Sequence, residues 1–127
     1  MNNDNYYVYM LTNTQRKILY TGVTNNLAHR IIQHWKSRGM PQTFTGKYYC
    51  YYLVYFEEFR YIDKAIAREK EIKGWRREKK DALINAKNPS WVFLNEEVCG
   101  CWPPMKNQTP PLHWDKNPSF GQDDKGS

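Results

Sequence analysis

Tyr6-Tyr-Val-Tyr-Met-Leu11, the polar interval Thr12 to Arg16, and Lys17-Ile-Leu-Tyr-Thr-Gly-Val23 form the stretch that decides the fold. Both flanks are rich in β-branched and aromatic residues and the interval between them is short, which is the pattern of a β-hairpin. The period then changes. Asn25 and Asn26 each offer an N-cap for a helix from Leu27 to about Ser37, where Gly39 and Pro41 stop it. At roughly 100° per residue, Leu27, Ile31 and Trp35 share one face, and Arg30 and His34 sit together along the edge of that apolar stripe.

Working outward, Tyr48-Tyr-Cys-Tyr-Tyr-Leu-Val-Tyr-Phe56 is a second β-rich run. Its near-continuous apolarity predicts a strand covered on both faces. Helices are predicted over about Ile62 to Lys73, ended by Gly74, and over about Arg77 to Ala86, ahead of Asn88-Pro89. The order strand, strand, helix, strand, helix, helix predicts an α+β fold: a small three-stranded, mainly antiparallel sheet flanked by helices. After Val98 the hydrophobic period is lost among Pro103-Pro104, Pro110-Pro111 and Pro118. Residues 1–98 are therefore expected to form the domain, and 99–127 a Pro-rich, disordered tail for which Trp102 and Trp114 are the possible anchors.

The chain has 127 residues, room for one domain with a working core. Its 19 Lys and Arg against 13 Asp and Glu give a net charge of +6, and all of the excess lies before Cys99. That balance favours a polyanionic partner, although a solvated lysine-rich helix face produces the same composition. Cys50, Cys99 and Cys101 make no even disulfide framework, and no signal-peptide pattern is found, so the reducing cytoplasm is the expected location. No apolar run approaches the ~20 residues of a membrane span, and the C-x-C pair lacks the second pair or spaced histidine of a structural zinc site.

The helix over 62–73 carries an anomaly. Ile62, Ala65, Ile66 and Ile72 form its apolar stripe, and the same period puts Glu69 in the middle. Burying a carboxylate without compensation costs several kcal/mol, so Glu69 must be protonated, paired with a cation or coordinated to a metal. Periodicity alone ranks an i,i+4 salt bridge to Lys73 ahead of a metal site.

The surrounding motifs change that ranking. Tyr7-Val8-Tyr9 and Tyr20-Thr21-Gly22 are followed by Val23-Thr24-Asn25-Asn26-Leu27, then Arg30 and His34. Phe44-Thr45-Gly46-Lys47-Tyr48, Leu53-Val54-Tyr55-Phe56-Glu57, Ala67-Arg68-Glu69-Lys70-Glu71-Ile72-Lys73-Gly74-Trp75 and Asn88-Pro89-Ser90-Trp91 complete the series. In this order, across about residues 6 to 94, the chain resembles the GIY-YIG nuclease superfamily, in particular its short stand-alone bacterial members. Tyr7 stands where the family name gives glycine, and Val8 and Thr21 stand where it gives isoleucine, but both motif tyrosines remain.

The resemblance implies a metal-dependent endonuclease or nickase acting on DNA, with catalytic groups on one concave face. Glu69 would hold a single Mg²⁺ or Mn²⁺. Arg30 would offset charge growing on the scissile phosphate. Tyr9 or Tyr20 would activate water, the choice between them left open, and a nearby cation would have to assist a phenol whose ordinary pKa is about 10. His34 would bond the phosphate or orient the water, with a partly exposed helix-edge histidine as the equal alternative. Gly22 would permit a close backbone approach, and Asn88 resembles an asparagine that braces the site. Lys47, Lys70, Lys73, Arg76 and Arg77 are the candidate DNA contacts, though Lys70 to Lys80 is interleaved with Glu71, Glu78 and Trp75 and also reads as a salt-bridged surface. No helix-turn-helix or zinc finger accompanies the domain, which favours structured or damaged DNA over a long specific sequence, with RNA not excluded. The rival is a catalytically weak nucleic-acid-binding module that works with a protein partner.

Overall fold

The computed structural model describes residues 5–104. Three strands, β1 (Tyr6–Thr12), β2 (Leu19–Thr24) and β3 (Tyr52–Phe59), form one antiparallel sheet in the order β2-β1-β3. Helices α1 (Leu27–Lys36), α2 (Phe44–Lys47), α3 (Ile62–Lys73), α4 (Arg77–Lys87) and α5 (Asn95–Cys99) flank it. The expected α+β architecture is the observed one.

Strand alternation divides the core into two layers. Val8 and Met10 of β1 pack with Val54, Ala65, Ile72 and Ile84, so α3 and α4 cover that face. Tyr9 and Leu11 point the other way and pack with Tyr20, Leu27, Ile31 and Leu53 under α1. The Asn26 side chain accepts from the His29 backbone N–H and caps α1, which settles the choice between the two asparagines.

Two segments depart from the pattern read in the sequence. β3 begins at Tyr52 rather than Tyr48, because Thr43 caps the short helix α2 through the Gly46 N–H and Tyr49 then turns the chain with φ of 57°. Tyr48 and Tyr49 are consequently exposed. At the other end, Asn95 sits almost fully buried at the start of α5, where it accepts from the Leu53 N–H and donates to the Tyr51 carbonyl. With Leu94 N–H donating to the Leu53 carbonyl, this seals the outer edge of β3, beside which no fourth strand lies among the described residues. α5 packs on α1, and Trp102 meets Trp35 edge-on at 6.1 Å and Tyr51 at 6.3 Å. Residues from 105 onward, Trp114 among them, lie outside the described residues. No helix among the described residues is long and apolar enough to cross a membrane.

Candidate active site

The β1–β2 register places Tyr9 opposite Gly22 and Leu11 opposite Tyr20. Both phenol rings therefore lie on the α1 face, with centroids 6.2 Å apart. A Cβ on Gly22 would fall 2.5 Å from the Tyr9 hydroxyl oxygen and 3.0 Å from Tyr20 Cε2, so only glycine leaves room for the Tyr9 ring to cross the neighbouring strand. Gly22→Ala is expected to cost ~1–3 kcal/mol of stability as an overpacked site. Urea denaturation measures that loss, and an unchanged midpoint with Tyr9 still in place would show that the strand yields.

α1 supplies the next two groups one turn apart. Arg30 is buried; its Nε donates to the Tyr9 hydroxyl at 3.3 Å and its Nη1 donates to Gln33 Oε1 at 2.6 Å. His34 Nε2 lies 3.0 Å from the Tyr9 hydroxyl and Nδ1 lies 2.9 Å from Thr45 Oγ1. The pattern assigns the protons. With Arg30 donating to Tyr9, the phenol proton is available to His34 Nε2, which leaves the imidazole proton on Nδ1 facing Thr45. The sequence leaves His34 evenly between a phosphate or water contact and a partly exposed helix-edge residue; the structure buries it between Tyr9, Tyr20 and Thr45. Thr45 is the group that reading did not single out, although it lies within the quoted Phe44–Tyr48 segment.

Burial pushes the His34 pKa well below 6.5, and the Arg30 charge pushes it the same way, so the folded protein holds the ring neutral. An unfolded chain protonates this histidine near 6.5 while the fold does not, hence stability is full above that value and is lost as pH falls below it. The slope from this one proton approaches ~1.4 kcal/mol per pH unit. Glu57, which hydrogen bonds from Arg68 and Tyr55 hold below 4.5 despite burial pushing it upward, adds its own loss only at lower pH. Unfolding free energies measured between pH 7 and pH 5 should therefore decline in wild type and decline less in His34→Gln.

Glu69 enters from α3, which packs on β1 and β2 from the opposite layer. Its side chain is 9% exposed and Oε2 lies 2.6 Å from Lys73 Nζ, so the lysine pairing anticipated as the plain alternative is formed. The pair does not stand apart from the phenols. Lys73 Nζ is 5.9 Å from the centre of the Tyr20 ring, which brings the charged end of α3 to the β2 side of the cluster. Among the described residues no group of three or more His, Cys, Asp or Glu side chains is arranged to hold a metal ion. A lone buried carboxylate nonetheless fits a hard cation that keeps several waters and takes further oxygens from phosphate, as Mg²⁺ does.

The candidate DNA contacts separate on inspection. Lys47 ends α2 two residues beyond Thr45, with Nζ 5.3 Å from the Tyr48 ring centre, and Lys70 and Arg76 are exposed near the corner between α3 and α4. Arg77 donates to the carbonyls of Lys17 at 2.6 Å and Arg16 at 3.3 Å and pairs with Asp81, pinning the β1–β2 turn to α4. Asn88 also lies away from the cluster. It donates to the Val54 and Val92 carbonyls and accepts from the Val92 N–H, so it braces the outer edge of β3. Arg68, between Glu57 and Glu71 and beside Trp75, ties α3 to β3 and escaped the sequence reading because its partner is remote along the chain.

The cluster holds a guanidinium, a phenol and an imidazole at hydrogen-bonding distance, and the Glu69–Lys73 pair approaches it through the lysine, groups able to bind an anion and to hold a proton. A UPF0213 protein of Haloquadratum walsbyi is 37% identical over 81 residues, which span 64% of this chain and 88% of that protein. The solution NMR structure of a UPF0213 protein from Bacillus halodurans is 31% identical, covers 68% of this chain and 89% of its own, and superposes with a TM-score of 0.44. Residues 5–82 match the GIY-YIG catalytic domain, and since that match takes in β1 through most of α4 and holds Tyr9, Tyr20, Arg30, His34 and Glu69, the chain belongs to the GIY-YIG family.

Proposed function

We propose that the protein is an endonuclease or nickase that hydrolyses a phosphodiester bond in DNA with one divalent cation held by Glu69. The observation that carries this is the buried chain Arg30–Tyr9–His34–Thr45. Keeping a guanidinium almost fully buried is costly unless it serves an anion, and the chain turns it toward a phenol oxygen. When bound, Mg²⁺ or Mn²⁺ draws charge from the scissile phosphate and stabilises the leaving 3′ oxygen.

The remaining work falls to this chain's own residues. Neutral His34 fixes the direction of the Tyr9 hydroxyl, and Thr45 fixes the ring of His34. Arg30 stabilises negative charge that develops at the Tyr9 oxygen or on the phosphate beside it. These contacts favour Tyr9 over Tyr20 as the phenol that takes part in activating water. Lys47, Lys70 and Arg76 are the DNA-backbone contacts of this reading, structured or damaged DNA is its substrate, and the reducing cytoplasm its location.

One observation favours the rival: the Glu69–Lys73 pair compensates the buried acid without any metal, as a binding module lacking turnover would require. The two readings part on a single assay. Purified protein with Mg²⁺ or Mn²⁺ should nick or cleave supercoiled, branched or single-stranded DNA, whereas binding to all of these without metal-dependent cutting would leave the binding module.

A further inference from the structure

Lys73 stands where a metal ion on Glu69 would stand. Its ammonium lies 2.6 Å from Oε2, and the carboxylate is nearly closed to solvent while the lysine side chain keeps 28% of its surface exposed. A divalent ion and an ammonium cannot both occupy that contact, because like charges a few ångströms apart repel strongly in a poorly screened site. The acid is fixed on the helix; the lysine, on a flexible four-carbon stem, is the partner able to move.

The surroundings show where it would go. The Tyr20 ring presents its face 5.9 Å from Nζ. Burial lowers the Lys80 pKa, and the charges of Arg77 and Lys73 lower it further, so Lys73 already acts on a second cation. An ammonium leaving Glu69 has the Tyr20 ring face and solvent to turn to, and a phosphate at that surface is the anion it would then meet.

Building on the reading of Glu69 as the cation ligand, we infer that Lys73 serves as a built-in competitor for the metal: it holds the cation position in the free protein, is displaced when Mg²⁺ or Mn²⁺ binds, and then faces the DNA phosphate. Metal affinity is held down until DNA arrives, and by linkage metal and DNA strengthen each other's binding. The device keeps a buried carboxylate compensated in the resting state and limits the metal-loaded state to complexes with substrate.

The test is metal binding and needs no turnover. Mn²⁺ affinity of the full chain without DNA is measured by the EPR signal of free Mn²⁺ and by calorimetry for wild type, Lys73→Gln, Lys73→Met and Glu69→Gln. Both lysine variants should bind Mn²⁺ about 5-fold to 100-fold more tightly than wild type, within the usual range of coupling between two sites, and Glu69→Gln should lose the site. The glutamine variant keeps a hydrogen-bond donor beside the carboxylate, so it reports even where methionine fails to fold. If binding depends on Glu69 but is unchanged or weaker in the lysine variants, the displacement is wrong and Glu69 stays the ligand. If no variant shows Mn²⁺ binding that depends on Glu69, the displacement and the metal assignment fall together.

Discussion

Glu69→Ala is expected to lower metal-dependent DNA cleavage by at least ~10²–10³-fold, the scale on which loss of one transition-state electrostatic group is felt, while DNA affinity measured without divalent metal does not fall. The separation follows from where the residue sits. Glu69 is buried against α3's neighbours and presents its oxygen to Lys73, not to the exposed surface that Lys47, Lys70 and Arg76 occupy. Removing the acid also removes its desolvation penalty, and Lys73 has solvent to turn to, so stability should shift by less than ~1 kcal/mol. Cleavage time courses with Mg²⁺ and Mn²⁺, binding isotherms and urea midpoints on the same preparation separate these effects. Cutting that survives in Glu69→Ala would assign the metal to another ligand or the activity to a contaminant.

The second large effect is expected for Tyr9→Phe. Deleting one oxygen strands two buried partners, Arg30 Nε and His34 Nε2. Unsatisfied buried groups cost ~1–3 kcal/mol, an unusually large penalty for so small a change. Loss of a group that handles the proton of the attacking water should lower cleavage by a further ~10²–10⁴-fold. Tyr20→Phe is the informative comparison, because the Tyr20 ring packs against His34 at 5.5 Å and Phe44 at 6.1 Å and a phenylalanine keeps those contacts. Should Tyr9→Phe cleave at near wild-type rates while Tyr20→Phe does not, the water-activating role passes to Tyr20.

Much of the site could be read one element at a time. The i,i+4 spacing places Arg30 and His34 on one helix edge, and the 3.6-residue period puts Glu69 inside an apolar stripe, without reference to anything distant. The readings that fell short share a cause. Tyr48 to Tyr51 has the composition of a strand, yet the Thr43 cap and the turn at Tyr49 end the short helix there and leave two of those tyrosines in solvent. The bonds from Arg77 to the Lys17 carbonyl and from Asn88 to the Val54 carbonyl were likewise out of reach of a local reading, since they run to backbone groups tens of residues away in the chain. Thr45 gains meaning only through the imidazole that faces it.

The amino-acid order by itself determined the hairpin, the positions of α1, α3 and α4, the two-sided burial of the sheet and the placement of Glu69 within an apolar stripe. These follow from local periods and caps, which act over one or two turns or a few residues of strand. Tertiary packing alone decided that Tyr9 lies over Gly22 and meets Arg30 and His34, that Thr45 faces the His34 ring, and that Asn95 closes the β3 edge. Those contacts join side chains from different layers at hydrogen-bonding distance, and no periodicity within an element specifies the spacing between elements.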